Sequence, residues 1–199
     1  MSGAYSTTPG VALNIILGIA PLHLEIIKSA TQYWIKKKKL IRATETLGFF
    51  ADTKENIEEA IITKWQNLWE TSSKSRRLFG IINNVNNRLK WEQWNPGRGA
   101  VHFLSGHGPY RAKLFELGMT ETPLCECGAI STPEHVVLEC PRSGENIDGT
   151  VDRQINNLRQ QLQNLTVKNM IEDENLRNTL DQLATRISHI EKMKFLNRN

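Results

Sequence analysis

Cysteine is scarce in this sequence: the 199 residues include three, and an odd number of thiols cannot pair fully into disulfides. A small secreted scaffold stapled by disulfides is thereby excluded. Reduced thiols are typical of the cytosol and the nucleus, so we expect a nuclear or cytoplasmic protein that is not secreted.

Long hydrophobic runs are lacking as well. The apolar stretch over residues 11–22 is interrupted by Asn14, Gly18 and Pro21, and it is too short to span a bilayer. The first ten residues carry no positive charge, and no small-residue cleavage site follows the apolar stretch. We therefore expect neither a secretory signal nor a membrane partner.

Strand patterns are absent too, whereas apolar residues recur at steps of three and four positions, which indicates amphipathic helices. These stripes are Leu22, Ile26, Ile27, Ala30, Tyr33 and Trp34; Ile57, Ile61, Trp65 and Leu68; Val151, Ile155, Leu158, Leu162 and Leu165; and Leu176, Leu180, Leu183, Ile187 and Ile190. The sequence therefore predicts a mainly α-helical fold with little or no β-sheet.

Helix boundaries follow from proline, glycine and capping residues. The first stripe predicts a helix that runs into the lysines at 36–39. Asp52, with Glu55 three residues later, has the spacing of a capping box and predicts the start of the next helix. One helical segment is predicted over 78–94, and another from Pro109 to a glycine stop at Gly118.

The net charge is +4, and the basic excess is uneven. Residues 1–124 carry 16 Lys+Arg against 10 Asp+Glu, or +6, whereas residues 125–199 carry 9 against 11, or −2. A basic first part is compatible with a polyanionic partner such as nucleic acid.

All three cysteines lie in the stretch PLCECGAISTPEHVVLECP, residues 123–141. The ligand set is Cys125, Cys127, His135 and Cys140, and three thiolates with one imidazole suit zinc in a tetrahedral shell. Four protein ligands close that shell, which predicts a structural rather than a catalytic zinc. Gly128 fits a tight turn that needs positive φ.

Local signals complete the predicted knuckle, and two alternatives remain open. Ser131 or Thr132 is expected to cap a short helix that carries His135. The cysteines could instead be buried free thiols. A zinc hydrolase would need one of the four ligands not to bind, with Glu134 or Glu139 as the general base.

Residues 104–141, LSGHGPYRAKLFELGMTETPLCECGAISTPEHVVLECP, closely resemble the region near the C-terminus of the pol polyprotein of arthropod non-LTR retrotransposons of the R1 type. There a Gly-His-Gly turn and an aromatic-Arg helix precede a Cys-Cys-His-Cys knuckle. Residues 2–26, SGAYSTTPGVALNIILGIAPLHLEI, resemble the start of the thumb beyond the reverse transcriptase palm. Residues 90–104, KWEQWNPGRGAVHFL, resemble the stretch between thumb and knuckle. The resemblance is weakest after residue 142.

The resemblance implies a C-terminal fragment of a polyprotein that is an RNA-directed DNA polymerase with an endonuclease. The implied role is to hold RNA or target DNA during target-primed reverse transcription. The implied partners are RNA or DNA, with ribosomal DNA as the target, and the remainder of the pol polyprotein. The sequence lacks the Tyr-x-Asp-Asp turn of the polymerase and a recognisable nuclease pattern. We therefore do not expect this chain to polymerise or cut DNA by itself.

Four segments are predicted along the chain. Residues 1–50 form a thumb-like helical segment, 51–122 a helical connector, 123–142 the knuckle, and 143–199 amphipathic C-terminal helices. The C-terminal helices also offer a surface for self-association.

The predicted nucleic-acid contacts are Lys36, Lys37, Lys38, Lys39, Arg42, Arg98, His107, Arg111, Lys113 and Arg142. The lysine run is interpreted as a thumb-like helix on the template–primer backbone, or alternatively as a solvated helix end that complements the helix dipole. His107 fits a phosphate contact or a plain turn. Trp91 and Trp94 fit stacking platforms or core residues. The alternative function is a zinc-stapled helical protein-interaction module that does not bind nucleic acid.

Overall fold

The computed structural model describes residues 4–91, 93–146, 148–150 and 152–197. Within these ranges the chain is mainly α-helical and contains no strand; Leu124 and Ile130 form an isolated antiparallel bridge. The predicted fold class is confirmed. Val151, the first residue of a predicted stripe, lies outside the described residues, as do the outermost residues of the first and last predicted segments.

The chain forms two compact units, which we call the N-terminal unit (Pro9–Trp94) and the knuckle unit (residues 4–8 and 95–197). The N-terminal unit contains α1 (Gly10–Leu17), α2 (Leu22–Lys36), α3 (Leu40–Leu47), α4 (Lys54–Thr71), α5 (Arg76–Ile81) and α6 (Val85–Leu89). The knuckle unit contains α7 (Arg98–Ser105), α8 (Arg111–Glu116), a π-helix (His135–Glu139), α9 (Arg153–Leu162), α10 (Val167–Glu172) and α11 (Glu174–Leu196). The four-segment division of the chain stays a prediction.

A buried arginine ties the N-terminal unit together. Trp65 and Trp69 of α4 are buried, and so is Arg88 of α6. The Nε and Nη2 atoms of Arg88 donate to the carbonyl oxygen of Ile16 at 3.1 and 2.6 Å. These bonds satisfy a charge that would otherwise be costly to bury, and they connect α6 to the end of α1.

The predicted apolar stripe of α2 is wrong in part. Leu22, Ile26 and Tyr33 are 75%, 59% and 52% exposed, whereas Leu24 and Thr31 are buried. The reason is that α2 packs against α3 and α4, which cover the side of the helix that carries Leu24 and Thr31.

The helix predicted to run into the lysines at 36–39 ends at the first of them, Lys36, and Lys38 adopts a φ of +56° before α3 begins. Another helix predicted in this unit is interrupted. The helix predicted over 78–94 is divided into α5 and α6. Asn84 caps α6 by accepting a hydrogen bond from the Asn87 N–H at 2.8 Å. Asparagine favours such caps over helix interiors because its side chain competes for backbone groups.

The cap of α4 also differs from the prediction by one residue. The Oγ1 atom of Thr53, rather than Asp52, accepts a hydrogen bond from the Asn56 N–H at 3.2 Å. The helix therefore begins at Lys54, close to where the capping-box spacing placed it.

The knuckle unit is organised around α11, on which α7, α9, α10 and the π-helix pack. The crossing of α7 and α11 requires glycine. A Cβ atom on Gly99 would lie 2.1 Å from the backbone nitrogen of Thr185, which leaves room only for hydrogen. Beside this crossing, the Nδ1 atom of His102 lies 2.8 Å from the Oγ atom of Ser188, and both side chains are buried.

The C-terminal region contains three helices where two are predicted. The helix that carries the stripe predicted up to Leu165 ends earlier, at Leu162. Asn164 then adopts a φ of +64°, and α10 follows. Asp173 then caps α11 by accepting a hydrogen bond from the Leu176 N–H at 2.9 Å. The last stripe is confirmed at Leu180, Leu183, Ile187 and Ile190, which are buried.

No single helix in the described ranges is long and apolar enough to cross a membrane. Helices α1 and α2, bent by 64° relative to one another, have the required length and composition only as a pair.

We predict that Gly99→Ala destabilises the knuckle unit by about 3 kcal/mol or more, because the added methyl group collides with the backbone of α11. Gly80→Ala is the matched control, since nothing lies within 4 Å of its added methyl group. That substitution should leave stability unchanged or raise it by about 0.5 to 1 kcal/mol. Chemical denaturation followed by circular dichroism measures both, and equal stability of the two variants would contradict the close crossing.

Candidate metal centre

A tight turn brings the first two cysteines together. The N–H of Cys125 donates to the carbonyl oxygen of Ala129 at 2.7 Å, and the N–H of Gly128 donates to that of Cys125 at 2.9 Å. Gly128 has a φ of +92°, a backbone conformation that residues with a side chain rarely adopt. The glycine expected in this turn therefore has the conformation for which it is needed.

The π-helix positions the other two ligands. Cys140 follows His135 by five positions, and in an α-helix their side chains would point about 140° apart. The N–H of Cys140 instead donates to the carbonyl oxygen of His135 at 2.6 Å, an i→i+5 bond that widens the turn. Both side chains consequently reach the same site.

Both candidate capping residues are used, at different helices. The Oγ1 atom of Thr132 accepts a hydrogen bond from the His135 N–H at 3.2 Å, as predicted for the knuckle helix. The Oγ atom of Ser131 accepts one from the Arg111 N–H at 3.1 Å. Ser131 thus satisfies an amide at the start of α8 and attaches the knuckle to that helix.

The four predicted ligands converge on one point. Their donor atoms all lie within 4.8 Å of one another. The Sγ atom of Cys125 is 3.4 Å from that of Cys140, which is 3.7 Å from that of Cys127. The Nε2 atom of His135 lies 3.1 Å from the Sγ atom of Cys127. Cys125, Cys127, His135 and Cys140 can therefore hold one metal ion.

A carboxylate stands behind the imidazole. The Nδ1 atom of His135 lies 3.8 Å from the Oε2 atom of Glu139, while Nε2 faces the cysteines. A carboxylate on the far nitrogen of a metal-binding histidine favours the tautomer whose other nitrogen is free to coordinate. At 3.8 Å Glu139 is beyond hydrogen-bond distance of the imidazole, and it lies on the side away from the cysteines, which is not where the hydrolase alternative needs its general base.

The thiols lie in unequal environments. Burial raises the pKa of Cys125 to about 12, whereas a hydrogen bond from the Ala129 backbone lowers the pKa of the exposed Cys127. Thiolates are the form of cysteine that binds metals, and a cation at the centre of the group would favour ionisation of the Cys125 thiol.

Arg159 of α9 anchors the knuckle, although no sequence motif points to it. Its Nε donates to the carbonyl oxygen of Val137 at 3.0 Å, and its two Nη atoms donate to those of Cys140 at 2.7 Å and Val136 at 3.0 Å. It also donates to Ser143. Burial lowers the pKa of the Arg159 guanidinium. These bonds satisfy the last carbonyl groups of the π-helix.

A lysine of α11 contacts the cysteine turn. The Nζ atom of Lys194 lies 3.9 Å from Glu126, between the first two ligands, and 3.5 Å from Glu191. It also donates to the carbonyl oxygen of Arg142 at 3.2 Å. The metal site is thus supported from α8, α9 and α11.

The predicted nucleic-acid contacts of the N-terminal unit form one group. Arg42 lies 5.0 Å and Lys39 lies 5.8 Å from the ring of Trp34, and Lys37 lies 5.8 Å from the ring of Tyr33. Lys36 and Lys38 are exposed beside them.

The predicted contacts in the knuckle unit are dispersed. Lys113 pairs with Glu116 at 2.7 Å, and Arg142 pairs with Glu145 at 3.2 Å. Arg98 and the half-buried Arg111 lie at the starts of α7 and α8, respectively. His107 occupies a turn, where its Nδ1 atom lies 3.0 Å from the carbonyl oxygen of Ser105, as its structural alternative predicts.

Trp91 and Trp94 belong to the packing of their own unit. Their rings meet edge to face at 5.7 Å, and the buried guanidinium of Arg88 lies 5.4 and 4.9 Å from them. This arrangement favours the core interpretation of the two tryptophans.

We predict that Arg159→Ala weakens binding of Co²⁺, used as a coloured probe of the site, by about ten- to a hundredfold. The reason is that the carbonyl groups of Val136, Val137 and Cys140 lose the guanidinium donors of Arg159, which help to fix the positions of the two ligands. Arg153→Ala removes an exposed arginine from the same helix and should leave the affinity unchanged. Titrations followed by the thiolate-to-cobalt charge-transfer absorption measure the Co²⁺ affinity of each variant. Equal affinity of the two folded variants would contradict the anchoring role of Arg159.

Comparison with known proteins gives relatives of one kind. No family model matches the chain, and no solved structure matches it significantly. The chain is 27% identical over 147 residues to the Retrovirus-related Pol polyprotein from type-1 retrotransposable element R1 2 of Nasonia vitripennis, with 69% of the chain and 36% of that protein covered. A second protein of that organism, named for element R1 4, is 28% identical over 71% of the chain and 38% of its own length. A third, named for element R1 of Bradysia coprophila, is 33% identical over 44% of the chain and 9% of its own length.

The chain thus spans between 9% and 38% of the length of these curated relatives. Its location near the C-terminus of a polyprotein stays a prediction. The resemblance found in residues 2–26, 90–104 and 104–141 is confirmed by alignments that cover 69% and 71% of the chain: it is related to the Pol polyproteins of R1 retrotransposable elements and is consistent with a fragment of one.

Proposed function

We propose that the metal ion of the knuckle is zinc and that its role is structural. Zinc–sulfur bonds of about 2.3 Å and zinc–nitrogen bonds of about 2.0 Å give a tetrahedral shell with edges of about 3.5 to 3.8 Å. Three of the six edges between the donor atoms are 3.1, 3.4 and 3.7 Å, and all six lie within 4.8 Å, so small shifts of the side chains would complete this shell. Three thiolates and an imidazole fill the four positions, so the shell has no place for substrate or water.

We further propose that the chain binds RNA or DNA as part of a retrotransposon Pol protein, during target-primed reverse transcription. The observation that carries this proposal is the group of cations at the junction of α2 and α3, Lys36 to Lys39 and Arg42, which we call the lysine group. Tyr33 is 52% exposed beside Lys37, and the lysines at 36–39 form no ion pair with a carboxylate among the described residues. An exposed ring beside cations suits a strand that stacks a base on it and places its phosphates on the lysines.

The knuckle supports this function less directly. Glu126, Glu134 and Glu139 make it acidic, and Arg159 is engaged with backbone carbonyl groups. Arg111, Lys113 and Arg142 remain its proposed phosphate contacts. Two of these are paired with glutamates, which a phosphate would have to replace. We therefore assign the main contact to the lysine group.

The alternative function, a protein-interaction module, is favoured by a specific observation. Leu22, Ile26, Ile41 and Phe50 are 75%, 59%, 78% and 68% exposed in the N-terminal unit. Exposed apolar side chains in such number are typical of surfaces that a partner covers. The remainder of the pol polyprotein is the proposed partner for this surface.

We predict that the purified chain contains one zinc ion, and that the double substitution Cys125→Ser and Cys140→Ser abolishes zinc binding by removing two of four ligands. Elemental analysis of the protein after gel filtration measures the content. His107→Ala should retain the full content, because that imidazole is held in a turn. Zinc in the double variant, or its loss from His107→Ala, would contradict the assigned shell.

We predict salt-dependent binding of single-stranded RNA or duplex DNA to the lysine group. Fluorescence anisotropy should show log K falling linearly with log salt concentration. For single strands, Lys37→Ala with Lys39→Ala should reduce the slope by about 0.7 for each phosphate that is no longer neutralised by a lysine. Lys74→Ala with Lys90→Ala changes the charge of the same unit equally and should leave the slope unchanged.

Two outcomes would contradict the proposed function. The first is an absence of binding at low salt by a folded, zinc-loaded chain, which would favour the interaction module. The second is an equal reduction of the slope in both double variants, since that would show a general effect of charge without a site.

A further inference from the structure

A cavity of about 520 Å³ lies in the knuckle unit, between α7, α11 and the segment that holds Tyr5. Its volume falls within the range of about 300 to 1,000 Å³ that small-molecule sites occupy. The four metal ligands are not among its lining residues, so the cavity is separate from the metal centre.

One wall of the cavity is aromatic and fixed in place. The ring of Tyr5 lies 4.9 Å from the imidazole of His102, at an angle of 49°. His102 is itself buried and bonded to Ser188 at 2.8 Å. Met193 and Leu196 add an apolar surface from the last turns of α11. A flat, partly apolar group therefore finds complementary walls here.

The polar side chains that line the cavity are mostly basic. Arg98, His189 and Lys192 all line it, and no aspartate or glutamate is among its described lining residues. The carboxylate of the nearby Asp181 already accepts two hydrogen bonds. Its Oδ2 atom accepts one from the Gly97 N–H at 2.8 Å, and its Oδ1 atom accepts one from the Thr185 hydroxyl at 3.3 Å. An anionic group can therefore approach Arg98 and Lys192 without meeting a competing carboxylate in the lining.

We infer that this cavity binds one unpaired nucleotide, with its base against Tyr5 and its phosphate between Arg98 and Lys192. The aromatic wall and the cationic rim together select a planar body that carries an anion. Inorganic phosphate would leave the apolar walls unfilled, and a neutral nucleoside would leave the cations without a partner. The inference rests on the proposed nucleic-acid binding for its biological context and assigns it a second site, outside the lysine group.

Calorimetric titration of the zinc-loaded full chain tests the inference with adenosine monophosphate as the probe. We expect saturable binding of the nucleotide, and binding at least about tenfold weaker for adenosine and for inorganic phosphate, each of which lacks half of the interactions. Arg98→Ala and Lys192→Ala should each weaken binding of the nucleotide by about tenfold, which is the usual effect of removing a charged hydrogen-bond donor.

Aromatic and charge controls refine the test. Tyr5→Ala should weaken binding by about five- to a hundredfold, whereas Tyr5→Phe, which keeps the ring, should bind as the parent chain does. Lys168→Ala removes an exposed lysine from α10 of the same unit and should have no effect. All variants alter exposed or half-exposed side chains, so circular dichroism should show unchanged helicity.

Several outcomes would overturn the inference. The first is an absence of nucleotide binding, and the second is equal binding of phosphate and nucleotide. The third is an equal effect of Lys168→Ala and Lys192→Ala on nucleotide binding. The fourth is displacement of the nucleotide by octanoate at similar concentrations. The last result would show a site for any apolar anion.

Failure of the inference and failure of the proposed function are distinguishable. Salt-dependent RNA binding that the lysine-group variants lose and the cavity variants retain would sustain the proposed function and reject the cavity. A chain that binds the nucleotide but not long strands would give the opposite result. If only the cavity variants of such a chain lost nucleotide binding, the cavity would be sustained and the proposed function rejected.

Discussion

Convergence of three thiols and one imidazole within 4.8 Å is the constraint on which the knuckle unit depends. Four such groups have little reason to approach so closely without an ion, because none satisfies another's hydrogen-bonding needs well. Their arrangement requires a turn with positive φ at Gly128 and a π-helical turn between His135 and Cys140. The π-helical turn is an uncommon backbone state, and a metal ion supplies free energy that can hold it.

The same constraint extends into the surrounding helices. Arg159 satisfies carbonyl groups that the π-helix leaves without partners, and Ser131 satisfies an amide at the start of α8. Lys194 bonds to the backbone beside the last ligand and lies near Glu126. The metal site, α8, α9 and α11 therefore form one connected arrangement. The lysine group, by contrast, lies in the N-terminal unit, so the proposed binding of nucleic acid does not require the knuckle to supply the charge.

Sequence reasoning was most successful where the signal is local. Ligand spacing identified Cys125, Cys127, His135 and Cys140, and periodicity identified the buried face of α11. It failed where tertiary neighbours decide. Periodicity shows that Leu22 and Ile26 share a side of α2, but α3 and α4 determine which side is covered. Arg159 lies 19 residues beyond Cys140 and belongs to no motif, so only the packing of α9 reveals its hydrogen bonds.

The central claim, a closed zinc shell that organises this unit, is tested most directly by X-ray absorption spectroscopy at the zinc edge of the purified chain. We expect three sulfur neighbours at about 2.3 Å and one imidazole nitrogen at about 2.0 to 2.1 Å, with no water oxygen. A shell with fewer sulfurs and an additional oxygen would contradict the claim, because it would show an open site and return the knuckle to the hydrolase alternative.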